Sequence, residues 1–277
     1  MTFSIVGRSA DGESWGVAVA SKFLAVGSAV PAAVAGVGAV ATQADANVAW
    51  KGIGLSLLDE GATASVALQR MVEDDPDRDH RQLGLVDVEG GAATYTGISC
   101  LPWAGGVAHE GPDGSCAIQG NVLAGPAVVD AMLAAWRDTG EEPLPRRLLA
   151  ALAAGDQAGG DRRGRQSAAL LVVREGAGYG GGDDIAVDLR VDDHATPVDE
   201  LARLLDLNDL YLTASTEAEK VPITDSLRTE IEAAAQEAGH EDFMTWVGCE
   251  NYEMRVDHAR PPMWIDQRVL AILRAHG

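Results

Sequence analysis

The chain is short of cysteine, of lysine and of long apolar runs. Its three cysteines, Cys100, Cys116 and Cys249, are odd in number and show no CxxC spacing. A disulfide framework or a zinc knuckle is therefore excluded as the organising device, and reduced cytoplasmic thiols are the simpler expectation. Lysine occurs only at Lys22, Lys51 and Lys220, and the net charge is −21, from 42 carboxylates against 21 bases. Such a surface repels nucleic acid and anionic membranes, so neither is expected as a partner. Acidic excess spread along the chain resembles the solvated surfaces of proteins from salt-loving cells, a halophilic expectation that carries no reaction type. The longest apolar stretch, Ala29 to Ala41, is broken by Pro31, Gly36 and Gly38, and no basic segment followed by an apolar run opens the sequence. Neither a membrane span nor an export signal is expected. No HxH or HExxH spacing brings together the six histidines, so no metal and no cofactor is expected.

What is present is a chain of 277 residues, long enough to bury a substantial core. It opens with Thr2-Phe-Ser-Ile-Val-Gly-Arg and Trp15-Gly-Val-Ala-Val-Ala-Ser, joined at Ala10-Asp11-Gly12. Asp-Gly between β-favouring runs predicts a hairpin. Its first strand starts at Thr2, and a small second residue lets the cell trim Met1. Thr2 would then carry a hydroxyl nucleophile and a free α-amino base on one residue. The plainer alternative is a threonine that merely suits a strand.

Further along, Gly36-Val-Gly-Ala-Val-Ala-Thr-Gln43 reads as buried strand. Its formal GxGxxA match lacks the following helix that dinucleotide binding needs. Helical spacing begins near Asn47, with Leu55 and Leu58, then Val66, Leu68, Met71 and Val72, Thr63 being placed to cap the second helix. The acidic turn Asp74 to His80 reads as a solvated helix end rather than a set of metal ligands. Strand-like runs follow at Gln82–Val88 and Ala92–Gly97, then Cys116–Leu123 leading into a helix with Val128, Met132 and Trp136 on its apolar side. Asn121 stands between that strand and helix, as an oxyanion donor or as a plain turn residue. After a helix around Leu148–Leu152, the loop from Gly155 to Ser167 is polar and glycine-rich, and the strands Ala168–Val173 and Ile185–Val191 form a hairpin. A helix at Val198–Leu205 closes a domain expected to span 1–213. Residues 214–277 read as a small, mostly helical C-terminal appendage.

Six segments in order, Met1-Thr-Phe-Ser-Ile-Val, Ser21-Lys-Phe, Gly36 to Gln43, Gln119-Gly-Asn-Val-Leu123, Gly160 to Ala168 and Asp188 to Asp193, resemble the "domain of unknown function 1028" family, placed in the N-terminal-nucleophile (Ntn) hydrolase superfamily. The resemblance runs through most of 1–213. It implies an α+β fold, a four-layer αββα sandwich with the nucleophile at the tip of the first strand. It also implies hydrolysis of a C–N amide bond in a small-molecule or N-acyl substrate through an acyl-enzyme. The tail, including Glu250-Asn-Tyr-Glu-Met-Arg255, resembles a region labelled peptidoglycan-binding in some members. With no export signal, a role in packing, in a homo-oligomer or in closing the site is the better expectation. On this reading Thr2, Lys22 and Asn121 are the candidate catalytic residues. Lys22 would hold the nearby amine neutral, although an exposed strand-end lysine is the alternative. Ser21, Thr42, Gln43, Asp161, Arg163 and Ser167 are candidate substrate-binding groups, Asp161 and Arg163 serving equally well as an ion pair that fixes their loop. The alternative function is a catalytically silent binding or assembly protein on the same frame.

Overall fold

The computed structural model describes residues 2–276. It divides into two compact units, one running to Leu205 and the other starting at Asp206. Among the described residues the first unit holds ten strands: β1 (Thr2–Arg8), β2 (Trp15–Ser21), β3 (Pro31–Val34), β4 (Gly38–Ala44), β5 (Arg81–Asp87), β6 (Ala92–Thr96), β7 (Gly105–Gly111), β8 (Gly114–Asn121), β9 (Ser167–Val173) and β10 (Ile185–Val191). Its helices are α1 (Val26–Ala29), α2 (Trp50–Asp59), α3 (Ala64–Glu73), α4 (Ala127–Asp138), α5 (Leu144–Gln157) and the first part of α6 (Pro197–Tyr211).

The strands form two sheets, ordered β10-β9-β2-β1-β8-β7 and β3-β4-β5-β6, with every neighbouring pair antiparallel. Alternation along β1 builds two cores at once. Phe3 and Ile5 pack with Val128, Met132, Trp136, Leu148 and Leu152 of α4 and α5. Val6, on the other face, packs with Val17 and Val19 of β2 and with Ala39, Ala41 and Val86 of the second sheet. The outer face of that sheet, through Val40, Leu83 and Leu85, packs on Trp50, Leu58, Ala67 and Met71 of α2 and α3. The layers therefore run helix, sheet, sheet, helix, an α+β architecture as expected. The opening hairpin is also as expected, Arg8 pairing with Trp15 and Gly12 sitting at φ +74° in the turn.

Thr63 does cap α3, accepting from the Val66 amide. The buried stripe differs from the expected one: α3 buries Ala64, Ala67 and Met71, while Val66 is 40% exposed. Small residues on that face let the helix lie close to the sheet, which side-chain hydrophobicity alone does not reveal.

The second unit carries its own core. It contains β11 (Lys220–Pro222), α7 (Asp225–Glu237), α8 (Phe243–Cys249), β12 (Val256–Asp257), β13 (Trp264–Asp266) and α9 (Gln267–His276), the strands forming a small sheet β11-β13-β12. That sheet is an addition to the expected helices. The Glu250–Arg255 segment supplies the core directly. Tyr252 stacks on Tyr211 and packs tilted against Trp246, and the buried Arg255 pairs with the buried Asp266 at 2.9 Å, with Ser215 donating to the same carboxylate.

Candidate functional site

Thr2 is the first residue of β1, a central strand of the larger sheet, and the even residues of β1 face the second sheet. Cross-strand pairing sets Thr2 directly against Asn121 of β8, and Ser21 of β2 against Ser167 of β9. A polar row, Asn121, Thr2, Ser21, Ser167, therefore crosses the strand ends. Within it the Thr2 and Ser21 hydroxyl oxygens lie 3.1 Å apart and share a hydrogen bond. All four residues are buried.

Beneath this row the space between the sheets changes from apolar to polar. Gln43, Gln82, Gln119 and Asn121 are each 2% exposed or less. Gln43 Nε2 donates to the Thr2 carbonyl at 3.3 Å, to Gln82 Oε1 at 2.8 Å and to the Gln119 carbonyl at 3.3 Å. Gln43 Oε1 accepts from Ser4 Oγ, and Gln119 Nε2 donates to that same Oγ, both at 2.7 Å. Asn121 Nδ2 donates to Gln82 Oε1 at 2.9 Å. Both amide atoms of Gln43, Gln82 and Gln119 and the Asn121 nitrogen have partners. That matters because each orphaned buried polar group costs about 1–3 kcal/mol. The sheets approach closely here: a Cβ at Gly84 would lie 2.2 Å from Gln119 Oε1, so glycine is required where the amide crosses.

On the other face of the same strand ends lies a pocket of about 90 Å³ lined by Phe3, Ala20, Ser21, Asp161 and Arg165 among others. Asp161 is buried. It accepts from the Lys22 amide at 2.8 Å and from the Arg163 amide at 2.9 Å, and its two oxygens take Arg163 Nε and Nη2 at 3.2 and 2.9 Å. The ion pair that fixes the loop is thus formed, and Asp161 also bridges to Leu123, two residues beyond Asn121.

The structure brings Thr2, Ser21, Gln43 and Asn121 together. Of the other five expected residues, Asp161 and Arg163 form the ion pair of the neighbouring loop, and the hydrogen-bonding groups of Lys22, Thr42 and Ser167 are turned to other partners. Lys22 is exposed and its Nζ donates to the Arg165 carbonyl at 3.3 Å. Alternation along β2 makes Ser21, not Lys22, the residue that meets Thr2. Thr42 alternates away from Gln43 and donates to the Asn47 carbonyl on the outer side of its sheet. Ser167 belongs to the row, but its hydroxyl donates to the Phe23 carbonyl and accepts from the Val26 amide, pinning the β2–α1 turn. The expected loss of Met1 falls outside the described residues.

Ser4, Gln82 and Gln119 were not singled out by sequence reasoning. Their signal was a polar residue inside an apolar strand run, as in Gln82-Leu-Gly-Leu-Val and Ala117-Ile-Gln119, where burial demands a partner. Among the described residues, no group of three or more His, Cys, Asp or Glu side chains is arranged to hold a metal ion, and no helix is long and apolar enough to cross a membrane.

A model of the family of unknown function DUF1028 matches residues 2–201. The crystal structure of protein SPO2555 from Silicibacter pomeroyi, itself assigned to DUF1028, is similar at 30% sequence identity and a TM-score of 0.67, covering 75% of this chain and 89% of that one. No curated protein matches the chain.

Proposed function

The chain belongs to DUF1028, a family of unknown function, and we propose that it is an Ntn-type amidohydrolase in which Thr2, freed by removal of Met1, opens an amide through an acyl-enzyme. One observation carries the reading. A threonine stands at the first position of a central strand, between two sheets, with a hydroxyl on one side and an asparagine amide on the other. The layered helix-sheet-sheet-helix arrangement supports the Ntn sandwich that the sequence resemblance implies.

The chemistry follows from that placement. An α-amino group with an ordinary pKa of about 7.7–8.0 is partly neutral near pH 8 and takes the hydroxyl proton, directly or through a water. Thr2 Oγ1 forms a C–O bond to the substrate carbonyl carbon, and the carbonyl π pair moves onto its oxygen. Asn121 Nδ2 carries two hydrogens, of which one goes to Gln82, and the other is the donor for this oxyanion. Collapse breaks the C–N bond, the ammonium proton passes to the leaving amine, and water then hydrolyses the ester by the same route. Ser21 holds the Thr2 hydroxyl in place. Lys22 has no role in this scheme, because its ammonium is engaged on Arg165. The substrate is a small amide or N-acyl compound.

The second reading, a silent frame that binds or assembles, is favoured by one fact: Thr2 is 6% exposed and does not line the neighbouring pocket. Intact mass of protein from its own host, together with a screen of small amides and N-acyl amino acids, separates the two. Loss of Met1 is expected. Thr2→Ala is expected to lower hydrolysis by on the order of 10³-fold or more, with a stability change of about 1 kcal/mol from the lost hydroxyl contact. Retained Met1 in active protein, or full activity in Thr2→Ala, overturns the proposal.

A further inference from the structure

We infer that Gln82 is a positioning residue that fixes which end of the Asn121 amide faces the nucleophile, an inference that rests on the Thr2 reading above. The orientations of Gln82 and Gln43 are forced by groups that cannot reverse. Gln82 Nε2 lies against the Gly120 carbonyl at 2.8 Å and the Gly105 carbonyl at 3.3 Å, and also meets Thr96 Oγ1 at 2.8 Å. Backbone carbonyls only accept, so the nitrogen of Gln82 must point at them and its oxygen must point away. Gln43 is fixed in the same manner by the Thr2 and Gln119 carbonyls, and offers its nitrogen to Gln82 Oε1.

Asn121 is the remaining neighbour of that oxygen. It can satisfy Gln82 Oε1 only with Nδ2, as it does at 2.9 Å. A reversed Asn121 would set two oxygens against each other in a fully buried space. Through Gln82 the backbone of β7 and β8 therefore dictates the polarity of the amide that Thr2 faces on β8. The consequence is chemical. The oxyanion that forms on the substrate carbonyl attacked by Thr2 needs an N–H at Asn121, and a freely flipping amide would present its oxygen for part of the time and repel that charge.

The test uses full-length protein after Met1 removal and N-benzyloxycarbonyl-serine β-lactone. Thr2 Oγ1 attacks the lactone carbonyl, the ring C–O bond breaks, and the hydroxyl proton ends on the released alkoxide. The adduct thus adds the whole lactone mass, read by intact mass spectrometry. Wild-type protein is expected to be labelled and Thr2→Ala not. Gln82→Met is expected to lower the maximal labelling rate by at least tenfold with a half-saturating probe concentration within about twofold of wild type.

Gln119→Met is the control for a merely structural effect. Its amide is just as buried and binds Ser4 and Thr94, but not Asn121. A comparable fall in melting temperature with labelling within about threefold of wild type is expected there. Gln82→Glu keeps the fold if Gln82→Met does not. As neutral acid or as carboxylate its oxygen still accepts from Asn121 Nδ2, which a methionine cannot do. Its labelling rate is therefore expected to exceed that of Gln82→Met.

Wild-type labelling with Gln82→Met as fast as wild type, or with Gln119→Met equally slow, or with Gln82→Glu no faster than Gln82→Met, overturns the positioning role and leaves Thr2 standing. Absence of labelling at Thr2 in wild type overturns the nucleophile itself, and this inference with it.

Discussion

At the scale of single residues, Asp161 shows how a loop beside the candidate site is held. Its carboxylate serves two backbone amides, those of Lys22 and Arg163, and a two-pronged contact from the Arg163 side chain. These parts differ in worth. The Arg163 side chain is 36% exposed, so solvent screens the ion pair and its contribution is modest. The two amides are anchored by an otherwise buried oxygen pair, and each loses about 1 kcal/mol or more when its acceptor goes. Asp161→Asn, which keeps a carbonyl oxygen for the Lys22 amide, is expected to cost about 1 kcal/mol. Asp161→Ala is expected to cost about 3 kcal/mol, because both amides and the guanidinium lose their partner. Urea unfolding of the two variants checks this. Equal losses would mean that the ion pair, not the amide anchoring, carries the effect.

At the scale of elements, Asp75 ties the exit of α3 to the start of β5 and to the loop after β4. Its oxygens take Asn47 Nδ2 at 3.0 Å, Arg81 Nε at 3.2 Å and the Asp77 amide at 2.8 Å. Burial pushes its carboxyl up, but the Asn47 contact, the Asp77 amide and Arg81 together outweigh burial and hold it below the ordinary 3.8. A carboxyl depressed by folding contributes stability that is present above its unfolded value and is lost as pH falls through its folded value. Asp75→Asn is therefore expected to destabilise by about 2 kcal/mol at pH 7, and the gap to wild type should close as pH drops below about 4. Denaturant midpoints for both proteins at pH 7 and at successive steps below pH 4 measure it. A gap that stays constant to pH 2 would sink the argument.

The acidic turn from Asp74 to His80 was legible as a helix end, because charge and proline report solvent exposure. Its buried member was not legible, since burial depends on where β4 and β5 bring Asn47 and Arg81. The same division runs through the candidate site. The hairpin, the β9–β10 pair and Asn121 at a strand end could be read from alternation and turn residues, which are local. Lys22 and Thr42 failed on the phase of that alternation: one residue along a strand reverses the face. Gln82 and Gln119 escaped because their partners lie across the gap between two sheets. That register depends on Gly84 meeting Gln119, which no spacing along the chain records.

At the scale of the whole molecule, the excess of 21 carboxylates over bases must be carried by both folded units at once. Many exposed arginines are paired locally, as Arg190 is with Asp188 and Arg203 with Glu200. Such pairs leave the net charge untouched and add little each. What remains is long-range repulsion, which acts over a Debye length of about 30 Å at 0.01 M salt and about 3 Å at 1 M. If the composition is an adaptation to salt, the melting temperature should rise from 0.01 to 1 M KCl, by about 2–4 °C for each kcal/mol of repulsion relieved. Potassium chloride suits the test better than sulfate, which also strengthens apolar burial. Hydration effects of KCl are separated from charge by a second protein. Reversing the exposed Asp59, Glu60 and Glu241 to lysine changes the net charge by 3 × 2 = 6, from −21 to −15. Repulsive self-energy grows with the square of net charge, so the salt-dependent rise should shrink to about half, (15/21)², of its wild-type size. An identical rise in both proteins would assign the effect to the solvent, and a flat profile in wild type would remove self-repulsion, and with it the halophilic reading.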